Sequence, residues 1–425
     1  MEVDLLLHSA SQLLTLSGGP QRGSELGQLG IIEDGAVAIA GERVQAIGSS
    51  DELRETFEPD VMINAFGRVV MPGFVDPHTH LIWAGDRADE FEARASGATY
   101  MEILSQGGGI LSTVRHTRAA EPSELIAQAR LRLNRMLNHG TTTAEAKTGY
   151  GLALEPELRI LDAILTLDER GPIELSPTFL PAHAVPAEYE ADEYVGLICD
   201  EMLPALVVWW GDRRSDTPLP FVDVFCEEGA FDLAQCQRVL GVAKELGFPL
   251  KIHADEFASL GGTKLAIELG AISADHLVHT TANEIQMLGD SGTAAIALPA
   301  TPFGLAESEY TPALKILQAG GLLALASDLN PGTAWCESMQ FVIALATRYM
   351  GLTPAQAIAA CTVNAAAAIG REDVVGSLEL GKQADLLILE VEDYRHLGYR
   401  FGTNLVQTVV KKGRIVVDRS RDGFR

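Results

Sequence analysis

The sequence predicts an α/β fold, a (β/α)8 TIM-like barrel set between a β-rich head and a β-rich tail. Two observations predict it. Eight short apolar runs alternate with amphipathic helices through the middle of the chain, and both ends read as strands. Alternating β and α elements imply parallel strands joined by crossover helices. The length of 425 residues suits a barrel of about 250 residues with a smaller accessory part.

In the head, residues 35–47 (GAVAIAGERVQAI) alternate apolar and polar side chains after a turn signal at Glu33-Asp34-Gly35. The eight runs that read as barrel strands are 69–75, 141–147, 175–183, 221–227, 249–255, 272–277, 293–299 and 322–328. Residues 123–138 form an intervening helix, with Leu125, Ile126, Leu133, Met136 and Leu137 on one face and Gly140 beyond its end. Residues 209–220 (WWGDRRSDTPLP) read as a surface loop with a partly apolar start. In the tail, 384–390 and 406–417 are strand-like, with a hairpin turn at Lys412-Gly413.

Composition narrows the function classes. Hydrophobic residues make up 47% and charged residues 21%, enough for a large core. A net charge of −26 repels phosphate backbones, so nucleic acid is not an expected partner, and an anionic substrate needs a local cation. The five cysteines, Cys199, Cys226, Cys236, Cys336 and Cys361, contain no C-x-x-C pair, which points to a reducing compartment. Neither a basic leader nor an 18-residue apolar run occurs, so the expectation is a cytoplasmic chain with no membrane partner.

Of ten histidines, His78, His80, His183, His253 and His276 fall at the C-terminal ends of proposed strands, and Asp328 ends the eighth. Barrel active sites form at that face. In His78-Thr79-His80 both imidazoles project from the same side of an extended chain, an arrangement suited to a divalent metal. Each residue alone has a plainer reading: a chance H-x-H, a core histidine at 253, a helix N-cap at 328. Three imidazoles and a carboxylate at the ends of strands one, five and eight make a metal site. An ion held there lowers the pKa of a bound water to about 7. Asp328 is then both ligand and proton acceptor. Glu256, three residues after His253, is a candidate general acid/base. His183 and His276 orient or polarise a carbonyl, or else are satisfied core histidines. Gly107-Gly108-Gly109 lacks the following Lys-Ser/Thr of a phosphate loop and reads as a mobile loop over the site.

The segment 71–80 (MPGFVDPHTH) is similar to the first metal motif of the amidohydrolase superfamily, and 376–387 (GSLELGKQADLL) to its C-terminal signature. Within it, 81–91 (LIWAGDRADEF), 107–118 (GGGILSTVRHTR), 147–152 (KTGYGL), 179–186 (FLPAHAVP), 223–231 (DVFCEEGAF), 252–261 (IHADEFASLG), 273–277 (SADHL) and 328–333 (DLNPGT) resemble the imidazolonepropionase family. The resemblance implies a small β-sandwich built from 1–66 and 373–425 around a barrel of 67–372. It implies one zinc or iron ion on His78, His80, His253 and Asp328. Strand four ends Cys226-Glu227-Glu228, without the bridging lysine of binuclear relatives, so one ion is expected and Lys147 is a structural or electrostatic cation. The implied substrate is 4-imidazolone-5-propionate, bound by Arg87, Tyr100 and Tyr150. Arg87 would clamp the propionate, since a guanidinium fork recognises carboxylates bidentately. His183, Glu256 and His276 would flank the ring, and Asn330, Gly332 and Thr333 would line the wall after strand eight. The implied reaction hydrolyses the cyclic amide C–N bond to N-formimino-L-glutamate, a step of histidine degradation. Glu256 would shuttle protons and His276 would stabilise the oxyanion. A homodimer is the family's expectation.

A deaminase or another cyclic-amide hydrolase would share the metal set but has no need of Arg87, Tyr100 and Tyr150 together. A non-catalytic barrel protein would have lost ligands, and none is lost. The chain departs from the family at 299–310 (PATPFGLAESEY), where an aromatic-rich run is usual and Ala306 stands in place of a common arginine. Ala334-Trp335-Cys336-Glu337 is also unusual, and 209–220 is longer than usual. These changes bear on substrate fit.

Overall fold

The computed structural model describes residues 1–97 and 107–420. Eight parallel strands follow one another in chain order: Phe74–Asp76, Thr141–Lys147, Glu174–Ala182, Phe221–Cys226, Lys251–Ala254, Ser273–His276, Ala294–Ala297 and Leu323–Leu325. A parallel bridge from Thr79 to Leu329 links the segments that follow the first and eighth strands across the seam. Every residue of Thr141–Lys147 is buried, as expected of a parallel strand covered on both faces. Helices such as Pro122–Asn138 and Leu154–Arg170 turn one apolar face to the strands. Capping boxes at Asp232/Gln235 and Thr281/Glu284 fix where two of them begin.

Both chain ends build the second body. One sheet orders Arg43–Ser49, Gly35–Ala40, Glu2–Ala10 and Glu58–Asn64. The other orders Arg414–Asp418, Val406–Lys411, Leu386–Leu389, Val69–Pro72, Gln12–Leu14 and Ile31–Ile32. Leu5, Leu7, Val37 and Ile39 from the first sheet pack with Leu13, Val70, Leu386, Ile388 and Val410 from the second. The fold is therefore the barrel with a β-sandwich from both termini.

Two expectations change. The run 69–75 is two strands in two sheets: Val69–Pro72 belongs to the sandwich and only Phe74–Asp76 to the barrel. The break is at Gly73, where a Cβ would lie 2.3 Å from the Thr142 hydroxyl, so the chain crosses too close to the second strand for a side chain. The loop expected at 209–220 begins later, because the helix Leu203–Arg214 runs through it. Trp210 is buried, Arg213 sits 4.1 Å over the Trp209 ring, and Arg214 pairs with Glu169 at 3.2 Å. The stretch Ala191–Arg214 is long and apolar enough to cross a membrane, yet Tyr194, Ile198, Met202, Leu206 and Trp210 on it belong to the barrel's hydrophobic core.

Glu174, at the start of the third strand, ties the barrel to the tail. Its carboxylate accepts from Lys411 at 2.7 Å and Gln383 at 2.5 Å, and lies 3.3 Å from Arg371. Burial alone would raise this carboxyl, but Lys411 and the other donors hold it at about 2. Its folded value lies below the ordinary 4.5, so the stabilisation is complete above that pH and fades as pH falls toward 2. Glu174→Gln is expected to cost about 2–3 kcal/mol at pH 7 and little near pH 2. Urea unfolding at several pH values checks this; an unchanged midpoint at pH 7 refutes the tie.

Candidate active site

The strand ends converge at one mouth of the barrel. His78 and His80 leave the first strand in an extended segment stitched to both neighbours. His80 N–H donates to Leu329 O at 2.9 Å, Asp328 N–H to His78 O at 3.2 Å, and Lys147 N–H to Thr79 O at 2.9 Å. His253 lies within the fifth strand and His276 ends the sixth. His276 and Asp328 both have positive φ, 79° and 52°, a conformation that non-glycine residues seldom adopt.

His78 Nε2 lies 3.5 Å and His80 Nε2 3.6 Å from Asp328 Oδ1, and His253 Nε2 is 3.3 Å from His80 Nε2. On the far side of two rings stand carboxylates: Asp275 Oδ2 is 2.6 Å from His78 Nδ1, and Asp223 Oδ2 is 3.1 Å from His253 Nδ1. At His78 the carboxylate accepts the Nδ1 proton and leaves Nε2 as a lone pair facing the centre, whereas the His253–Asp223 approach is a close contact without hydrogen-bond geometry. Among the described residues, His78 Nε2, His80 Nδ1 and His253 Nδ1 are buried without a hydrogen-bond partner, a state that buried polar atoms seldom keep. Burial pushes His78, His80 and His276 well below the usual imidazole range, which keeps them neutral. Burial raises Asp328 to about 6 although Thr301 donates to its Oδ2 at 2.5 Å. Three imidazoles and a carboxylate fit a divalent ion by chemistry and by convergence. Ligand atoms of His78, His80 and Asp328 lie within 4.8 Å of one another, and so do those of His78, His253 and His276. The structure thus brings His276 nearer the metal-ligating group than the sequence placed it.

The remaining residues form a wall around this group. His183 stacks on His80 at 4.7 Å, and its Nδ1 donates to Gly149 O at 3.0 Å, which leaves Nε2 as an acceptor. Glu256 Oε2 is 3.5 Å from His276 Nε2, and burial, with the charges of Asp328 and Glu227, pushes the Glu256 carboxyl well above its ordinary range. Tyr150 is buried with its ring 5.9 Å from His80. Asn330 spends its side chain on its own loop, accepting from Gly332 N–H and Thr333 N–H at 2.8 Å and donating to Asp328 O at 2.7 Å. Tyr100 lies outside the described residues.

Arg87, Arg94, Phe91, Gly332, Thr333 and Trp335 line a cavity of about 450 Å³. Arg87 pairs with Glu90 at 2.7 Å, and Glu90 also accepts from Gly109 N–H at 3.0 Å, which joins the helix Ala88–Ala95 to the glycine loop. A Cβ on Gly332 would stand 2.1 Å from Arg87 Nη1, so the guanidinium rests directly on that backbone. The sequence reading missed Thr301 and Asp275 as supports of the centre. A charged residue inside a wholly buried strand, as in Ser273–His276, was the available signal.

Residues 229–416 match the model of the amidohydrolase family. An imidazolonepropionase from Herpetosiphon aurantiacus is 51% identical over 97% of both chains. One from Symbiobacterium thermophilum is 48% identical over 99% of this chain and 98% of its own. Among solved structures, an adenosine deaminase from Xanthomonas campestris with bound zinc superposes with a TM-score of 0.73 at 20% identity, covering 98% of this chain and 94% of that one. The last likeness is one of fold.

Proposed function

The chain belongs to the imidazolonepropionase family, and from that premise we propose that it hydrolyses the cyclic amide C–N bond of 4-imidazolone-5-propionate to give N-formimino-L-glutamate. The observation that carries the reading onto this chain's own residues is the convergence of His78 Nε2 and His80 Nε2 on Asp328 Oδ1, within 3.6 Å, with the loop that follows Asp328 supplying Gly332 and Thr333 to the cavity that Arg87 lines. The acid charge of the chain makes that arginine the natural partner of a propionate.

One zinc or iron ion on His78, His80, His253 and Asp328 would supply Lewis acidity and an acidified water. The protein's own groups do the rest. Asp328 takes the proton of the attacking water. Burial pushes the Glu256 carboxyl well above its ordinary range and favours its neutral form, and Glu256 delivers a proton to the ring nitrogen as the C–N bond opens. His276, beside it, donates to the oxygen that gains charge. His183 Nε2 accepts from a ring N–H. Tyr150 and the loop 330–333 shape the wall, and Arg87 exchanges Glu90 for the propionate.

Arg87→Ala is expected to raise KM by about 10–100-fold with a smaller change in kcat, the loss of one charge-assisted contact. Unchanged steady-state constants would remove Arg87 from the substrate site. The reading as a whole is tested by incubating the full chain with freshly prepared substrate and scoring N-formiminoglutamate with and without chelator. Chelator-sensitive product supports it; no product from metal-loaded protein refutes it.

A further inference from the structure

Beneath the histidines lie five fully buried charged side chains: Glu145, Lys147, Asp223, Lys251 and Asp275. Lys147 Nζ is 2.8 Å from Glu145 Oε1, 2.7 Å from Asp223 Oδ2 and 3.6 Å from Asp275 Oδ2. Those same two aspartate oxygens face the imidazoles, Asp223 Oδ2 at His253 Nδ1 and Asp275 Oδ2 at His78 Nδ1. One ammonium therefore touches the backing of two rings that come from different strands.

Each aspartate is pinned at its other oxygen by its own strand. Asp223 Oδ1 accepts from Val224 N–H at 2.8 Å, and Asp275 Oδ1 accepts from the Ser273 hydroxyl at 2.6 Å. Oδ2 of Asp223 is left to be shared between His253 and Lys147, and Oδ2 of Asp275 between His78 and Lys147, with Lys251 4.0 Å from it. Lys251 supports the same assembly from below, 3.3 Å from Glu145 and donating to Pro77 O at 3.1 Å, the carbonyl just before His78. A buried ion network that served only to neutralise itself would gain little over apolar packing. This one is joined to the centre at two atoms.

We infer that Lys147 is a positioning residue of the metal centre: it holds Asp223 and Asp275 so that His253 and His78 keep their protons on Nδ1 and turn their Nε2 lone pairs toward the ion. The inference rests on the metal site proposed above. The ammonium is suited to this, since burial would lower its pKa but Asp223, Glu145 and Asp275 raise it instead, so its charge is permanent.

The test uses the full chain stripped of metal and the double variant Lys147→Met/Glu145→Gln. The exchange removes one buried positive and one buried negative charge and leaves both aspartates in place. Zinc affinity is measured by competition with a chromophoric chelator, alongside the melting temperature of the metal-free protein. The expected result is a folded variant that binds zinc about 10–100-fold more weakly, the usual cost of losing support behind a ligand. A folded variant with wild-type zinc affinity overturns the inference. If the variant does not fold, the unaltered metal-free chain decides, labelled with ¹⁵N-histidine and assigned with His78→Asn and His253→Asn. Nδ1–H tautomers on both rings support the inference and an Nε2–H tautomer on either overturns it. Failure of the wild-type chain to bind zinc or iron is a separate result, which removes the metal reading itself.

Discussion

Asp328→Ala is expected to abolish turnover, with kcat falling by more than about 10³-fold. The substitution removes the carboxylate on which His78 Nε2 and His80 Nε2 converge, and with it the group placed to take the water's proton. It also removes the acceptor of the Thr301 hydroxyl, which reaches Asp328 from the segment after the seventh strand. Asp328→Asn keeps that acceptor and the shape of the side chain, and is expected to be nearly as inactive because an amide cannot accept a proton. Metal analysis separates the two roles: the alanine variant loses metal, whereas the asparagine variant keeps part of it. Near-normal turnover in either would remove Asp328 from the chemistry.

Glu256→Gln is expected to lower kcat by about 10²–10⁴-fold while metal content stays at the wild-type level and KM moves little. Glu256 is buried and lies beside His276. Burial favours the neutral carboxyl, the form that can give a proton away. Glutamine fills the same space and offers a hydrogen bond but no transferable proton, so the loss falls on the chemical step. A variant that lost its metal instead would show that Glu256 supports the centre rather than the leaving nitrogen.

The barrel was legible because its evidence is local: apolar runs, helical periodicity and turn residues recur at short range. The H-x-H segment was legible for the same reason, since two residues of one strand declare a shared face. What sequence alone could not supply was any relation across the barrel. Lys147 reads as an isolated cation until strands four and six bring Asp223 and Asp275 to it. The change of sheet at Gly73 does have a signature, the breaker pair Pro72-Gly73, which is easily passed over because the residues on both sides of it are apolar and buried. The helix through Trp209–Trp210 was obscured by the charged and proline-containing residues after it, although Arg213 and Arg214 in fact anchor its last turn. Arg87 stood out as a candidate substrate cation, but its engagement with Glu90 depends on a local helical turn that begins there.

The strand Val69–Pro72 has a consequence for how the protein matures. It is paired on one side with Gln12–Leu14 and on the other with Leu386–Leu389, residue for residue from Val69 opposite Leu389 to Pro72 opposite Leu386. The segment bearing His78 and His80 hangs directly from it. A ribosome emits Leu389 only after nearly the whole chain has been made, so the support of the earliest ligands is completed by some of the last residues to appear. Contacts so distant in sequence form late and slowly. Synthesis therefore delivers the segment of His78 and His80 early, while the strand that precedes it gains its last neighbour only when the tail has been made.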